Sequence, residues 1–560
     1  MRRRDYAGSL SSRNLTPGNS FSQLTLRSAN AVRLTRHSQI SFSLAFFSRN
    51  NDKYRQTMIS RRRALCLTVV LAVLVTSRAQ TSPPPAPAKD DSSHEAAVIE
   101  EMSTKIAFEN DGNSTREQIS RVRVRTDAGV QQWGLLSFPF QSATQTVEID
   151  YVRVHKADGS TLITPPDNVQ DLDAEITRSA RFYSDLREKH VAVKGLGKGD
   201  ILEYEAHWHT TKPLIPGQFW SQYTFHHEGI VLDERLEIKV PLERAVKVKG
   251  PQATQTVTTE EGSRVYAWTY SKLQSAKEPG SDQKKQTETA RGLLPPPDVQ
   301  ISSFQDWEEV GRWYWNLQKD RIEPTAAIRA KEAELTKGMT DDAAKLRALY
   351  SFVSTQYRYI GIAFGIGRYQ PHAADDVLTN NYGDCKDKHT LLASLLQASG
   401  ITLYPALINS SWELDPDVPS PAQFDHVIGY LPQGKDKDKD AVWLDTTIEV
   451  APFGYLVPRL RDKSALVMSG DKSIQLATTP ADSPLPNTQV FKIDGKLGND
   501  GALEARVEDT TRGDLEVVMR AAFRQAPQPQ WKDFGAADFL RSGLLGHRER
   551  RQREHARSDQ

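Results

Sequence analysis

The run Asn381-Tyr382-Gly383-Asp384-Cys385-Lys386-Asp387-Lys388-His389-Thr390, continued by Leu391-Leu392-Ala393-Ser394-Leu395-Leu396, decides how the rest of the chain is read. It opens with turn chemistry and becomes a helix. Leu391, Leu392, Leu395 and Leu396 recur at the spacing of one buried helical stripe. Gly383 reads as a sharp turn, and Asp384 as the N-cap. Cys385 then falls on the first helical turn, where free N–H groups and the helix dipole favour negative charge on sulfur. Lys386 and Lys388 add positive charge nearby, and Asp384 and Asp387 oppose it.

The chain has 560 residues, enough for about three domains. Its formal net charge is +1, so no overall field points to nucleic acid or to anionic lipid. It holds two cysteines, Cys66 and Cys385. Cys66 lies in a segment that reads as a secretory signal peptide, residues 58–79. Met58-Ile59-Ser60-Arg61-Arg62-Arg63 is its basic start, Ala64 to Val75 its apolar run, and Ser77-Arg78-Ala79 its cleavage pattern. Removal would leave Cys385 as a lone thiol, either a nucleophile or a small buried apolar residue. Residues 1–57, rich in Arg and Ser, read as an upstream mis-called or disordered segment; an organelle transit peptide is the competing reading. The expected location is periplasmic or secreted, with a mature end near Gln80. The alternative is an envelope protein held by an uncleaved N-terminal anchor, the only membrane contact the sequence suggests.

Residues 80–94 form a Pro/Ala linker. From 95 to 290 short alternating runs, among them Val147 to Val154 and Ile201 to His209, predict a β-rich, sandwich-like domain. The period then turns helical: Trp307, Val310, Tyr314 and Leu317, then Leu346, Leu349, Tyr350, Val353 and Tyr357, with Thr340 read as the second run's N-cap. Gly400 ends the cysteine helix, and strands follow at 402–408, 424–431 and 441–445. Helices before strands predict an α+β domain over 300–470. Residues 480–535 return to β, and 536–560 read as a charged tail. The tract 434–440 reads as a solvated loop, and the glycine-rich 361–367 as a candidate cleft wall.

A cysteine nucleophile needs a base, and the base an orienting acceptor. His426 in Phe424-Asp425-His426-Val427 and Asp445 in Trp443-Leu444-Asp445-Thr446-Thr447 lie on consecutive strands that can set them side by side. A core histidine and a strand-end cap remain open readings for these two. Glu203, Glu205, His207 and His209 share one strand face, read as solvated rather than as metal ligands. His372 and His389 rank below His426 as bases.

Tyr382-Gly383-Asp384-Cys385-Lys386-Asp387 resembles the cysteine motif of the bacterial transglutaminase-like superfamily, a papain-like fold. The His426 and Asp445 stretches resemble its other two motifs, in the same order. Gly195 to Tyr204 and Ile215 to Trp220 resemble the DUF3857 domain that precedes such a core in one exported family. The resemblance implies Cys385 as nucleophile, His426 as base and acid, and Asp445 as orienter. It implies a protein or peptide substrate, and no cofactor, metal or nucleic-acid partner is expected. Members usually continue into a fuller C-terminal β-domain, so the last part reads as possibly truncated. The Cys385 N–H and Gln356 are the expected oxyanion donors, and Tyr382 and Trp443 the expected cleft walls, with core packing the other reading of the two aromatics. The expected function is acyl transfer through a thioester, ending in hydrolysis or transamidation. The alternative is a non-catalytic envelope binding or assembly module that retains the fold.

Overall fold

The computed structural model describes residues 24–32, 95–174, 186–273, 292–361, 366–432, 441–470, 473–499 and 503–530. The signal segment with Cys66, the linker up to 94, the tract 434–440, residues 362–365 and the tail 536–560 lie outside the described residues. Of residues 1–57 only β1 (Leu24–Val32) is described, a strand where none was expected. Among the described residues no helix is long and apolar enough to cross a membrane.

The β-rich part begins with β2 (Ala97–Phe108), β3 (Ser114–Val124), a short α1 (Asp127–Trp133), β4 (Leu135–Gln141), β5 (Gln145–His155), β6 (Thr161–Ile163), β7 (Val169–Asp173) and β8 (Leu186–Ala192). It continues through β9 (Ile201–Thr210), β10 (Trp220–Tyr223), β11 (Ile230–Pro241), β12 (Lys247–Lys249), β13 (Gln255–Glu260), β14 (Ser263–Lys272) and β15 (Val299–Ser302). One eight-stranded sheet runs β13-β14-β11-β2-β3-β9-β5-β6. Two three-stranded sheets, β4-β8-β7 and β10-β15-β12, accompany it. Alternation decides which side chains meet: Val147, Val152, Leu202 and Tyr204 pack with Leu136, Phe138 and Val191, while Leu236, Ile238 and Trp268 pack with Phe219, Val299 and Ile301. Glu203, on the opposite register of β9, carries ion pairs from Arg121, Arg153 and His155. The face read as solvated is therefore a half-buried charge lattice. The β-region also reaches further than the expected 290: past the proline run the chain returns to supply β15, which pairs with β10 and β12.

The second part is α+β. It holds α2 (Trp307–Gln318), α3 (Ala326–Leu335), α4 (Asp342–Gln356), β16 (Arg358–Tyr359), α5 (Ala374–Asn380), β17 (Tyr382–Gly383) and α6 (Cys385–Ala398). A five-stranded sheet follows, in the order β20-β19-β18-β21-β22, from β18 (Tyr404–Ile408), β19 (His426–Leu431), β20 (Val442–Leu444), β21 (Ser464–Met468) and β22 (Ile474–Thr478). The predicted face of α4 is buried as read, but Asp341 rather than Thr340 caps it, its carboxylate accepting from Ala344 N at 2.9 Å. On α2 burial selects Val310, Tyr314 and Gln318 rather than Leu317. Gly311 sits where a Cβ would come within 2.4 Å of Ile474, so the missing side chain lets α2 lie close on β22.

Leu391, Leu392, Leu395 and Leu396 are all buried, packed with Leu349, Tyr350, Val353, Leu403, Leu431 and Leu444. This cluster joins α4, α6 and the strands and fixes the helix that begins at Cys385. Burial on α6 is not confined to one stripe: every residue from Lys386 to Leu396 is buried. The helix is a central one.

The C-terminal stretch departs from the all-β expectation. After β23 (Thr488–Leu497) and β24 (Leu503–Arg512) comes α7 (Asp514–Gln525). Val517 of α7 packs on Ala451 and Tyr455, and Asp514 receives Arg461 Nη1 at 3.0 Å and the Tyr455 hydroxyl at 2.7 Å.

Candidate active site

The site is built on the start of α6. Asp384 caps the helix: its Oδ1 accepts from Asp387 N at 3.2 Å, and Asp387 Oδ2 accepts from Asp384 N at 3.3 Å, a reciprocal capping box. Cys385 is the first helical residue, half-buried and free. Gly383 does not supply the turn. The left-handed residue is Asn381, with φ 59°. Gly383 is needed for space, since a Cβ there would stand 2.6 Å from Asp387 Cβ and displace the cap.

The two lysines that bring positive charge near Cys385 lie inside the core. Lys386 is buried and ion-paired with Asp384. Lys388 is buried and donates to the carbonyls of Ser354 (3.2 Å) and Tyr357 (2.7 Å), closing the end of α4. Burial pushes its pKa down to about 8, against the pull of Glu449 and Asp445. Burial drives Asp384 up to about 6, against the pull of Lys386 and with the push of Asp387. Burial also works against the charge of Asp387, yet hydrogen bonds from His372 and the charge of Lys386 hold its carboxyl down at about 2. His372 is thereby a ligand of the cap: its N and Nδ1 reach Asp387 Oδ1 at 2.8 and 3.1 Å.

Cys385, His426 and Asp445 are brought together. His426 opens β19, and Asp445 follows β20, the strand paired antiparallel to it. His426 Nε2 lies 3.1 Å from Asp445 Oδ2. Asp445 Oδ1 accepts from Thr447 N (2.9 Å) and Thr447 Oγ1 (2.7 Å), and its carbonyl accepts from the Tyr350 hydroxyl (2.8 Å). Cys385 acts on the charge of the same imidazole. With Nε2 committed to the carboxylate, Nδ1 is the nitrogen left for sulfur. Burial disfavours the charged ring, but Asp445 and then Cys385 lift His426 well above its usual range. The carboxyl of Asp445 is held below its usual value in spite of burial, by His426 first and Thr447 second.

The wall residues fall out differently. Gln356 is exposed at the end of α4, its amide nitrogen donating to Thr355 Oγ1 at 3.3 Å. Its exposed amide is turned to its own helix end rather than set as the expected oxyanion donor. Trp443 is core: it meets Tyr430 edge-on at 5.0 Å and packs with Ile428, Leu456 and Leu460. Its alternation on β20 turns it to that cluster, away from the one holding α6. Tyr382 is half-buried in β17, one step before Gly383. His389 is buried without a partner for Nε2.

Sequence reasoning missed two tyrosines. Tyr359 lies beside Gly383 in the parallel β16–β17 bridge. Burial, followed by the nearby charges of Cys385, Asp384, Asp445 and Asp425, raises its hydroxyl pKa, although the residue is 41% exposed as a whole. Tyr314, buried on α2 with an unpaired hydroxyl, is raised by burial and then by Cys385, Asp384 and Asp387. No motif marks either, because both arrive from other elements. Among the described residues one donor group has metal-like spacing: Glu117, Glu205 and His207, with atoms within 4.8 Å of one another. Ion pairs already answer these charges, His207 with Glu205 (3.1 Å) and Asp150 (3.3 Å), and Glu117 with Lys105 (2.8 Å).

Residues 110–277 match the family described as Domain of Unknown Function with solved structure (DUF3857), and residues 329–406 match the Transglutaminase-like superfamily. The chain carries a transglutaminase-like core behind a DUF3857 domain. The core match includes Cys385 and stops before His426 and Asp445. Among solved structures, a candidate protease from Parabacteroides distasonis is similar over 76% of this chain and 96% of its own, at TM-score 0.56 and 12% identity. This is a likeness of fold. An M1 zinc metallopeptidase from Deinococcus radiodurans overlaps 37% of this chain and 42% of its own, at TM-score 0.20 and 9% identity. No curated protein matches the chain.

Proposed function

We propose that the protein is a cysteine acyl-transfer enzyme acting on peptide or side-chain amides through Cys385. The observation that carries this reading is the imidazole of His426, held 3.1 Å from Asp445 with its other nitrogen left for the Cys385 sulfur. With Asp445 ionised, the Nε2 proton stays on the ring and Nδ1 can take the thiol proton. Sulfur attacks the amide carbon, and the oxygen gains negative charge. We assign its reception to the Cys385 N–H at the helix start and to the Tyr359 hydroxyl, which feels the charge of Cys385. His426 returns the proton to the departing amine and leaves a thioester, which water or a second amine then resolves with His426 again as base. A relative of the same fold described as a candidate protease favours hydrolysis. Export under the segment at 58–79 belongs to the same proposal.

The test is to trap the intermediate. Wild type mixed with a casein digest and quenched in acid should carry acyl groups on the peptide containing Cys385, seen by mass spectrometry, and Cys385→Ala should carry none. Acylation spread over lysines, or absent in wild type, overturns the proposal.

A further inference from the structure

One half-buried cation in the β-rich part has no anion to answer it among the described residues. Arg116 of β3 stands with its guanidinium carbon 4.8 Å from the Trp208 ring centre. Its Nη2 donates to Gln118 Oε1 at 2.8 Å, and its Nε is buried without an acceptor. Burial pushes its pKa down, opposed only by the phenols of Tyr223 and Tyr204. Three other arginines of this sheet are treated differently: Arg121, Arg123 and Arg153 each pair with Glu100 or Glu203. A guanidinium partly withdrawn from water without a carboxylate is costly, and a site that keeps one is prepared for an anion from outside.

Arg116 lines a cavity of about 340 Å³. Lys212 and Arg368 also line it, and among the described residues no Asp or Glu does. Trp208, Phe219 and Trp220 supply apolar wall. Three cations over aromatic surface suit a carboxylate carried on an apolar chain. The cavity is also tied to the catalytic part. Arg368 donates to the carbonyl of Phe424 at 3.3 Å, two residues before His426. Trp220 meets Trp313 of α2 at 6.5 Å, and Trp313 meets Tyr369 at 4.9 Å. The same helix α2 carries Tyr314 to Cys385.

We infer that this cavity is a subsite for a carboxylate of the peptide substrate, so that the DUF3857 domain selects acidic peptides for the core. The inference rests on the acyl-transfer reading for the word substrate, but its test does not. Full-length Cys385→Ala is titrated by calorimetry with three probes: acetyl-Phe-Glu-amide, acetyl-Phe-Gln-amide, and acetyl-Phe-Gln with a free terminus. The first and third distinguish a side-chain from a terminal carboxylate. At least one should bind about tenfold or more tightly than the neutral amide, the difference that a charge-assisted bond makes. Arg116→Met should erase that preference, Arg116→Lys should keep part of it, and Arg368→Gln should weaken it should Arg116→Met fail to fold. Equal binding of the three probes, no binding at millimolar peptide, or a preference that survives in a folded Arg116→Met chain overturns the inference. Inert sulfur with intact acid preference would defeat the catalytic proposal alone.

Discussion

Asp445→Asn lowers kcat/KM for amide turnover by about 10³- to 10⁴-fold while leaving the fold intact, with the peptide that acylates Cys385 as substrate. The reason lies in the second oxygen of Asp445. Oδ1 accepts from both the N–H and the hydroxyl of Thr447. An asparagine must therefore turn its oxygen to Thr447, because an amide nitrogen there would face two donors. Its NH₂ then points at His426 Nε2, which has to accept. The ring proton moves to Nδ1, the nitrogen that should take the thiol proton, and the base is blocked. Steady-state kinetics and a thermal unfolding curve check this together. A loss of only a few fold in a folded variant would show that Asp445 does not set the tautomer.

Acid lability is the second large effect, and it comes from His389. Burial alone depresses its pKa to about 3, and Nε2 has no partner. The unfolded chain takes up this proton below about 6.5, and the folded chain does not until about 3. The unfolded state thus binds more protons across that window, and stability falls as pH drops from 6.5 toward 3, by roughly 4 kcal/mol in all. His426 and His372, both raised, act with the opposite sign: their contribution is present below about 6.5 and is lost as pH rises through their folded values. Asp387, depressed to about 2, contributes stability that is lost as pH falls from its ordinary range toward that value. These groups are common to wild type and His389→Leu, so the difference between the two isolates His389. Urea midpoints should diverge as pH is lowered from 6.5 to 4, with wild type losing more. Parallel curves would contradict the assignment.

The part of the site that was legible in the sequence is the part made by neighbours in the chain. Asp384 was readable as the cap, though not that Asp387 closes the capping box with it, and the leucines behind them define what the helix rests on. His426 and Asp445 were legible as positions on consecutive strands, because one antiparallel pairing is enough to bring them together. Tyr359 was not, since it arrives beside Gly383, two residues before Cys385, through a two-residue parallel bridge that no local pattern announces. Lys386 and Lys388 read only as positive charge near the sulfur, whereas Asp384 and two backbone carbonyls meet both charges inside the core. Trp443 and Gln356 failed because a residue's neighbour in sequence is not its neighbour across a cleft; strand alternation turned the first away and the helix end exposed the second. The same limit hid Arg116, whose meaning depends on the carboxylates that are missing around it.

The central claim is that the sulfur of Cys385 is served by the imidazole of His426, and its most direct test needs no substrate. Iodoacetamide is reacted at pH 7 with wild type and with folded His426→Ala, and carbamidomethylation of Cys385 is followed by mass. The pairing predicts a rate about tenfold or more slower in the variant, since the base that withdraws the thiol proton is gone. Equal rates in the two proteins would mean that the ring does no work on the sulfur.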